Sequence, residues 1–155
     1  MAKRRWSSRA LTDCTDFKGS IMPHYNLAGR MVRLGECEVM ILGAYFKCGE
    51  GLAGTNLVLL RNIEFLTRTG KQCFILGADF NIEPKVWYED DGSWLKRMNA
   101  TIVTPRNTGF TCRGGKSGGG SMIDYFIVSM KVASVVKDCV AEFSVPWALT
   151  TEFVW

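Results

Sequence analysis

The chain is nearly devoid of histidine. His24 is the only one in 155 residues, and it stands at no metal-ligand spacing from any of the six cysteines. Cys14, Cys37, Cys48, Cys73, Cys112 and Cys139 form no CxxC pair, so a structural zinc site is not expected. Cys73 falls in an apolar run, where a free thiol behaves as a small hydrophobe. Free cysteines of this kind predict a reducing intracellular compartment, nucleus or cytoplasm. Long apolar runs are also missing. The longest, Val39 to Phe46, is far too short to span a bilayer, and no membrane association is expected. The amino terminus is basic but has no apolar core of a secretory signal. No internal repeat is visible.

Acid is absent from the first twelve residues, which hold Lys3, Arg4, Arg5 and Arg9. Those four account for the whole net charge of +4; the remaining basic residues balance the 15 acidic ones. Any polyanion binding by the body of the chain therefore needs a local patch rather than a global field. Residues 1–20 read as a basic, poorly ordered arm, and 21–155 as one domain. With 47% apolar and 22% charged residues, that domain has the composition of a globular core.

Local patterning predicts strands over 29–34 and 38–47, then a loop over 49–54. A helix follows through residue 69, with Thr55 as N-cap and Gly70 closing it. Leu59, Leu60, Ile63 and Leu66 form its apolar face. The run Cys73-Phe-Ile-Leu76 reads as a buried strand within 72–78. Short helices are expected over 84–88 and 93–98, and short strands over 101–104 and 110–112. Residues 114–120 read as a flexible loop. A strand over 122–128, a short helix over 130–136 and a strand over 139–145 complete the series. Strands outnumber the helices between them, which gives a mixed α+β layered domain.

Three places carry polar chemistry. Asp79 and Asn81, at spacing two, end a buried strand and project to one side. They are either turn formers or a carboxylate and an amide aimed at a water or a metal. Asp124 shares a strand face with Phe126 and Val128. A carboxylate there needs a partner: a backbone N–H, an Arg, or a histidine that it orients. Tyr45, near a strand end, is either an amphipathic rim residue or a donor to a phosphate oxygen. Gly115-Lys-Ser117 is not a phosphate loop: Phe110 stands where the motif needs glycine, and three glycines follow where a helix should.

Taken in order, Gly-Ala-Tyr-Phe (43–46), Ile-Leu-Gly-Ala-Asp-Phe-Asn (75–81) and Ser-Met-Ile-Asp-Tyr-Phe-Ile-Val-Ser (121–129) resemble the endonuclease/exonuclease/phosphatase superfamily. That superfamily is deoxyribonuclease I-like, and the flavour is nearest to its retroelement endonucleases. The resemblance implies a two-sheet β-sandwich with helices on the outer faces, here partial and truncated, and Mg²⁺-assisted hydrolysis of a phosphoester. It implies that Asp79 orients or activates the water and Asn81 holds the phosphate or the metal shell. It further implies that Tyr45 bonds a phosphate oxygen and Asp124 orients a histidine. Asp79 and Asn81 are the metal-side candidates. The family's upstream Glu motif and downstream His motif have no counterpart; Glu36 and Glu38 lie directly before the tyrosine strand. The expectation is a truncated, degenerate phosphodiesterase or endonuclease-like domain with little or no hydrolysis alone. Nucleic acid is its expected partner, and association through uncovered sheet edges or within a larger polyprotein is expected. The alternatives are an active phosphodiesterase with rearranged ligands, drawn from Glu36 or Glu38, and a non-catalytic nucleic-acid-binding module.

Overall fold

A computed structural model describes residues 7–10, 26–34, 36–89, 93–113, 119–142 and 150–154. The strands and helices, in chain order, are β1 (Ser7–Ala10), β2 (Leu27–Leu34), β3 (Cys37–Tyr45), α1 (Gly54–Leu66), β4 (Phe74–Asp79), α2 (Val86–Glu89), α3 (Ser93–Met98), β5 (Ala100–Val103), β6 (Cys112–Arg113), β7 (Gly120–Ser121), β8 (Asp124–Ser129), α4 (Met130–Ala133), β9 (Asp138–Glu142) and β10 (Thr150–Val154). Six strands join one sheet in the order β1-β2-β3-β4-β8-β5, and β6–β7 and β9–β10 form two-stranded ribbons. The β3–α1–β4 unit supplies the parallel pair; the other pairings are antiparallel.

The sheet is apolar on both faces for a simple reason. Its central strands alternate with period two, and each face has its own cover. One face presents Met40, Leu42, Phe74, Leu76 and Ile127 to Leu59, Leu60, Ile63 and Leu66 of α1, together with Trp87, Trp94, Leu95 and Met98 of α2 and α3. Each fully buried Leu or Ile there contributes about 1.5–3 kcal/mol. The opposite face carries a smaller cluster, Val39, Ile75 and Val128, with Val132 of α4 packed on it. The α+β layering expected from the sequence is therefore present. Among the described residues no helix is long and apolar enough to cross a membrane.

Several local expectations change; the helix expected over 130–136, for one, ends at Ala133. Ser7–Ala10, inside the stretch expected to be an unordered arm, pairs antiparallel with β2. Backbone pairing at a sheet edge needs no apolar period, so composition hides it. Thr55 is not the cap of α1. The N-cap position is Ala53, and the Glu50 carboxylate takes both the Thr55 N–H, at 2.7 Å, and its hydroxyl, at 2.6 Å. Helix α1 also ends three residues early, at Leu66, because Arg68, Thr69 and Gly70 all turn left-handed. The last expected strand begins at Asp138 and runs to Glu142, with 143–145 outside the described residues. Residues 114–118 of the glycine-rich loop, Gly115-Lys-Ser117 among them, and His24 also lie outside them.

Candidate phosphoester site

Three of the four candidate side chains stand in one cross-strand row. Tyr45 is the register partner of Asp79 across the parallel β3–β4 pair. Asp79 is in turn the partner of Asp124 across β4–β8. Same-face partners of this kind hold their Cβ atoms about 5 Å apart. The row lies at the ends of three strands, where the sheet stops and solvent begins. Tyr45 is half exposed, and both aspartates are partly exposed.

Period two also explains what holds the row in place. Each of its members is followed by a buried aromatic pointing to the other face: Phe46, Phe80 and Tyr125. These three form one cluster. Phe80 stacks on Tyr125 with ring centres 4.2 Å apart and lies 5.0 Å from Phe46. Trp87 meets Phe80 edge-on at 5.7 Å. The Trp87 indole N–H donates to the Tyr125 hydroxyl at 2.5 Å, and that hydroxyl donates to the Ile82 carbonyl at 2.9 Å. Burial pushes the Tyr125 phenol pKa up, so the group stays a neutral donor. The aromatic floor thus fixes the three strand ends that carry the polar row.

Asn81 joins the site by a turn. Its backbone is left-handed, φ 50°, a region in which asparagine is enriched among non-glycine residues. The turn lets its N–H donate to Asp79 Oδ1 at 3.1 Å while its side-chain amide donates to the Phe46 carbonyl at 2.9 Å. The exit of β4 is thereby tied to the exit of β3. The expectation that Asp79 and Asn81 form a turn at the strand end is met, and that turn keeps the two residues together.

Asp124 is positioned by a residue that sequence reasoning missed. The Thr111 hydroxyl accepts the N–H groups of Ile123 and Asp124, at 3.0 and 2.8 Å. The Ile123 carbonyl accepts the Phe80 N–H at 2.8 Å. No sequence pattern marks a threonine thirteen residues upstream as a clamp. Asn56 was missed as well. It is buried, and its side chain accepts the Lys47 N–H and donates to the carbonyls of Lys47 and Gly51. That closes the β3–α1 loop beside the row. An asparagine two residues inside a helix start, directly before an apolar run, was the available signal.

Electrostatics single out Asp79. Its carboxyl pKa is raised above 3.8, first by burial and then by the charge of Asp124; hydrogen bonds from Asn81 oppose the rise. Two adjacent carboxylates repel any phosphate unless a cation sits with them. The donor set suits Mg²⁺, which keeps several waters and needs only one or two carboxylates besides the substrate. It does not form a complete protein cage: among the described residues no three His, Cys, Asp or Glu side chains cluster to hold a metal. Glu38, the register partner of Arg33, stands seven residues before Tyr45 on β3, about 23 Å along the strand. Glu36 is farther still. Neither lies beside this row.

The domain has a deoxyribonuclease I-like fold. Among solved structures it is similar to the endonuclease domain of TRAS1, a telomere-specific non-LTR retrotransposon, with TM-score 0.59, 18% identity, and coverage of 77% of this chain and 57% of that one. It is similar also to the AP endonuclease LMAP from Leishmania major, with TM-score 0.63, 15% identity, and coverage of 88% and 55%. At these identities the likeness is one of fold. The chain spans little more than half the length of either structure. No protein-family model matches it, and no curated protein does.

Proposed function

We propose that the Tyr45–Asp79–Asp124 row, with Asn81, is the phosphoester-handling half of a nucleic-acid phosphodiesterase site, and that this chain alone hydrolyses little or nothing. The observation that carries the reading is the register itself, which brings residues from three distant motifs onto one sheet end. Asp79 and Asp124 supply negative charge, with Asn81 as a neutral neighbour, for a bound Mg²⁺; the ion when present would offset phosphate charge. Tyr45 presents its hydroxyl, half exposed, to a phosphate oxygen. Asp79, partly exposed at the strand end, is placed to orient a water by accepting a hydrogen bond from it.

The expectation of weak turnover rests on what stands beside Asp124. No histidine occurs after His24, so Asp124 has no imidazole downstream to orient. A general base acts as a unit with the groups around it, and its loss costs orders of magnitude in rate. The solved structures of like fold include an endonuclease domain and an AP endonuclease, which supports nucleic acid as the substrate class. The test is nicking of supercoiled and abasic-site DNA with and without Mg²⁺, beside Asp79→Ala. We expect binding of DNA with nicking at the level of the Asp79→Ala control. Robust Mg²⁺-dependent nicking that the substitution abolishes would overturn the expectation of weak turnover while upholding the site. Nicking that survives the substitution would overturn the site.

A further inference from the structure

At the opposite end of the same strands lies a cavity of about 360 Å³, lined by Thr69, Gly70, Lys71, Cys73, Asn99, Ser129 and Lys131. It is separated from the carboxylate row by the length of β8, about 17 Å from Asp124 to Ser129. We propose that this cavity is a binding site for a small phosphomonoester, independent of the polar row and its function.

Its walls are built rather than incidental. Three chain segments meet there and are pinned to one another. The Ser129 hydroxyl, buried, accepts the Phe74 N–H at 3.2 Å. The Asn99 carbonyl accepts the Met130 N–H at 2.8 Å. Gly70 packs so closely on the Met98 carbonyl that a Cβ would come within 2.1 Å of its oxygen. The backbone around the cavity is held where side-chain-bearing residues seldom go: Thr69 at φ 55° and Asn99 at φ 47°, with Arg68 at φ 51° alongside. For a β-branched residue such as threonine that conformation is an outlier, and such outliers concentrate at functional sites.

The chemistry of the lining is one-sided. It holds two lysines, two hydroxyls, an amide and a thiol, and no carboxylate. Among the described residues neither Lys71 nor Lys131 has an ion-pair partner. The Ser129 hydroxyl, having accepted from Phe74, donates to no acceptor among them. A set of donors without a counter-charge takes an anion. Two lysines suit a dianion, and the volume, at the lower end of small-molecule sites, exceeds what a bare phosphate fills. A phosphate ester on a small organic group matches both the charge and the room.

The experiment is a titration of the protein with ribose 5-phosphate, and separately with inorganic phosphate, followed by amide NMR shifts in low-salt chloride buffer. Shifts are expected at Thr69–Lys71, Asn99 and Ser129–Lys131, with the sugar phosphate binding more tightly than inorganic phosphate. Lys71→Gln/Lys131→Gln is expected to weaken sugar phosphate binding by on the order of tenfold, since charge-assisted hydrogen bonds are lost. Lys47→Gln/Lys85→Gln, at the other end of the sheet, should leave binding within about twofold. Asp79→Asn should leave it unchanged, which separates this site from the polar row. Equal weakening by the two lysine pairs would mean general surface charge and overturn the proposal. Shifts confined to the Asp79 row would overturn it too, as would inorganic phosphate binding no more weakly than the ester. So would single-stranded DNA occupying the cavity where ribose 5-phosphate does not.

Discussion

Asp79 bears a cost in the folded chain, and the cost is measurable. Its carboxyl is raised above 3.8 by burial and by Asp124. A raised carboxyl holds its proton more tightly folded than unfolded. Its favourable contribution to stability is therefore complete below pH 3.8 and declines as pH rises through the folded value. Asp79→Asn removes the charge yet keeps an oxygen to accept the Asn81 N–H. We predict that the variant is more stable than wild type at pH 7, by about 0.5–1 kcal/mol once solvent screening is allowed for, and that the gain closes towards pH 3. Thermal melts across that range check it; a variant less stable at pH 7 would show that Asp79 is structural. The sequence made Asp79, Asn81, Tyr45 and Asp124 visible because each sits at a strand end in a short ordered motif. It hid Thr111 and Asn56, whose work is done through backbone groups that no side-chain pattern records.

The elements followed their hydrophobic periods closely, and their ends did not. Strands β3, β4 and β8 and the buried face of α1 came directly from apolar runs and spacing. The termini depended on contacts made across the chain. Glu50, four residues ahead of α1, displaced Thr55 as the capping group because its carboxylate also pairs with Lys47 at 2.7 Å. Those bonds hold the Glu50 carboxyl down to about 2, with Lys47 the largest cause. Asn56 makes the same loop rigid from inside. We predict that Asn56→Ala destabilises the domain by about 1–3 kcal/mol, because the Lys47 N–H and two carbonyls lose buried partners. Chemical denaturation with an unchanged slope measures this; an effect under about 0.3 kcal/mol would mean that water replaces the side chain at no cost.

Across the whole molecule, one six-stranded sheet carries polar groups at two opposite ends. Carboxylates gather at one, lysines and hydroxyls at the other. The layered α+β class was legible because strand-type and helix-type periods alternate along the chain. Strand order was not, since β8 inserts between β4 and β5 and only long-range register decides that. The account depends most on Asp79 and Asp124 acting together on one cation. Mn²⁺, a paramagnetic stand-in for Mg²⁺, tests this by selective broadening of amide NMR signals. The prediction is broadening centred on residues 45, 79–81 and 123–124 that Asp79→Asn abolishes. Broadening centred on Glu36 and Glu38, or none near residues 79 and 124, would contradict it.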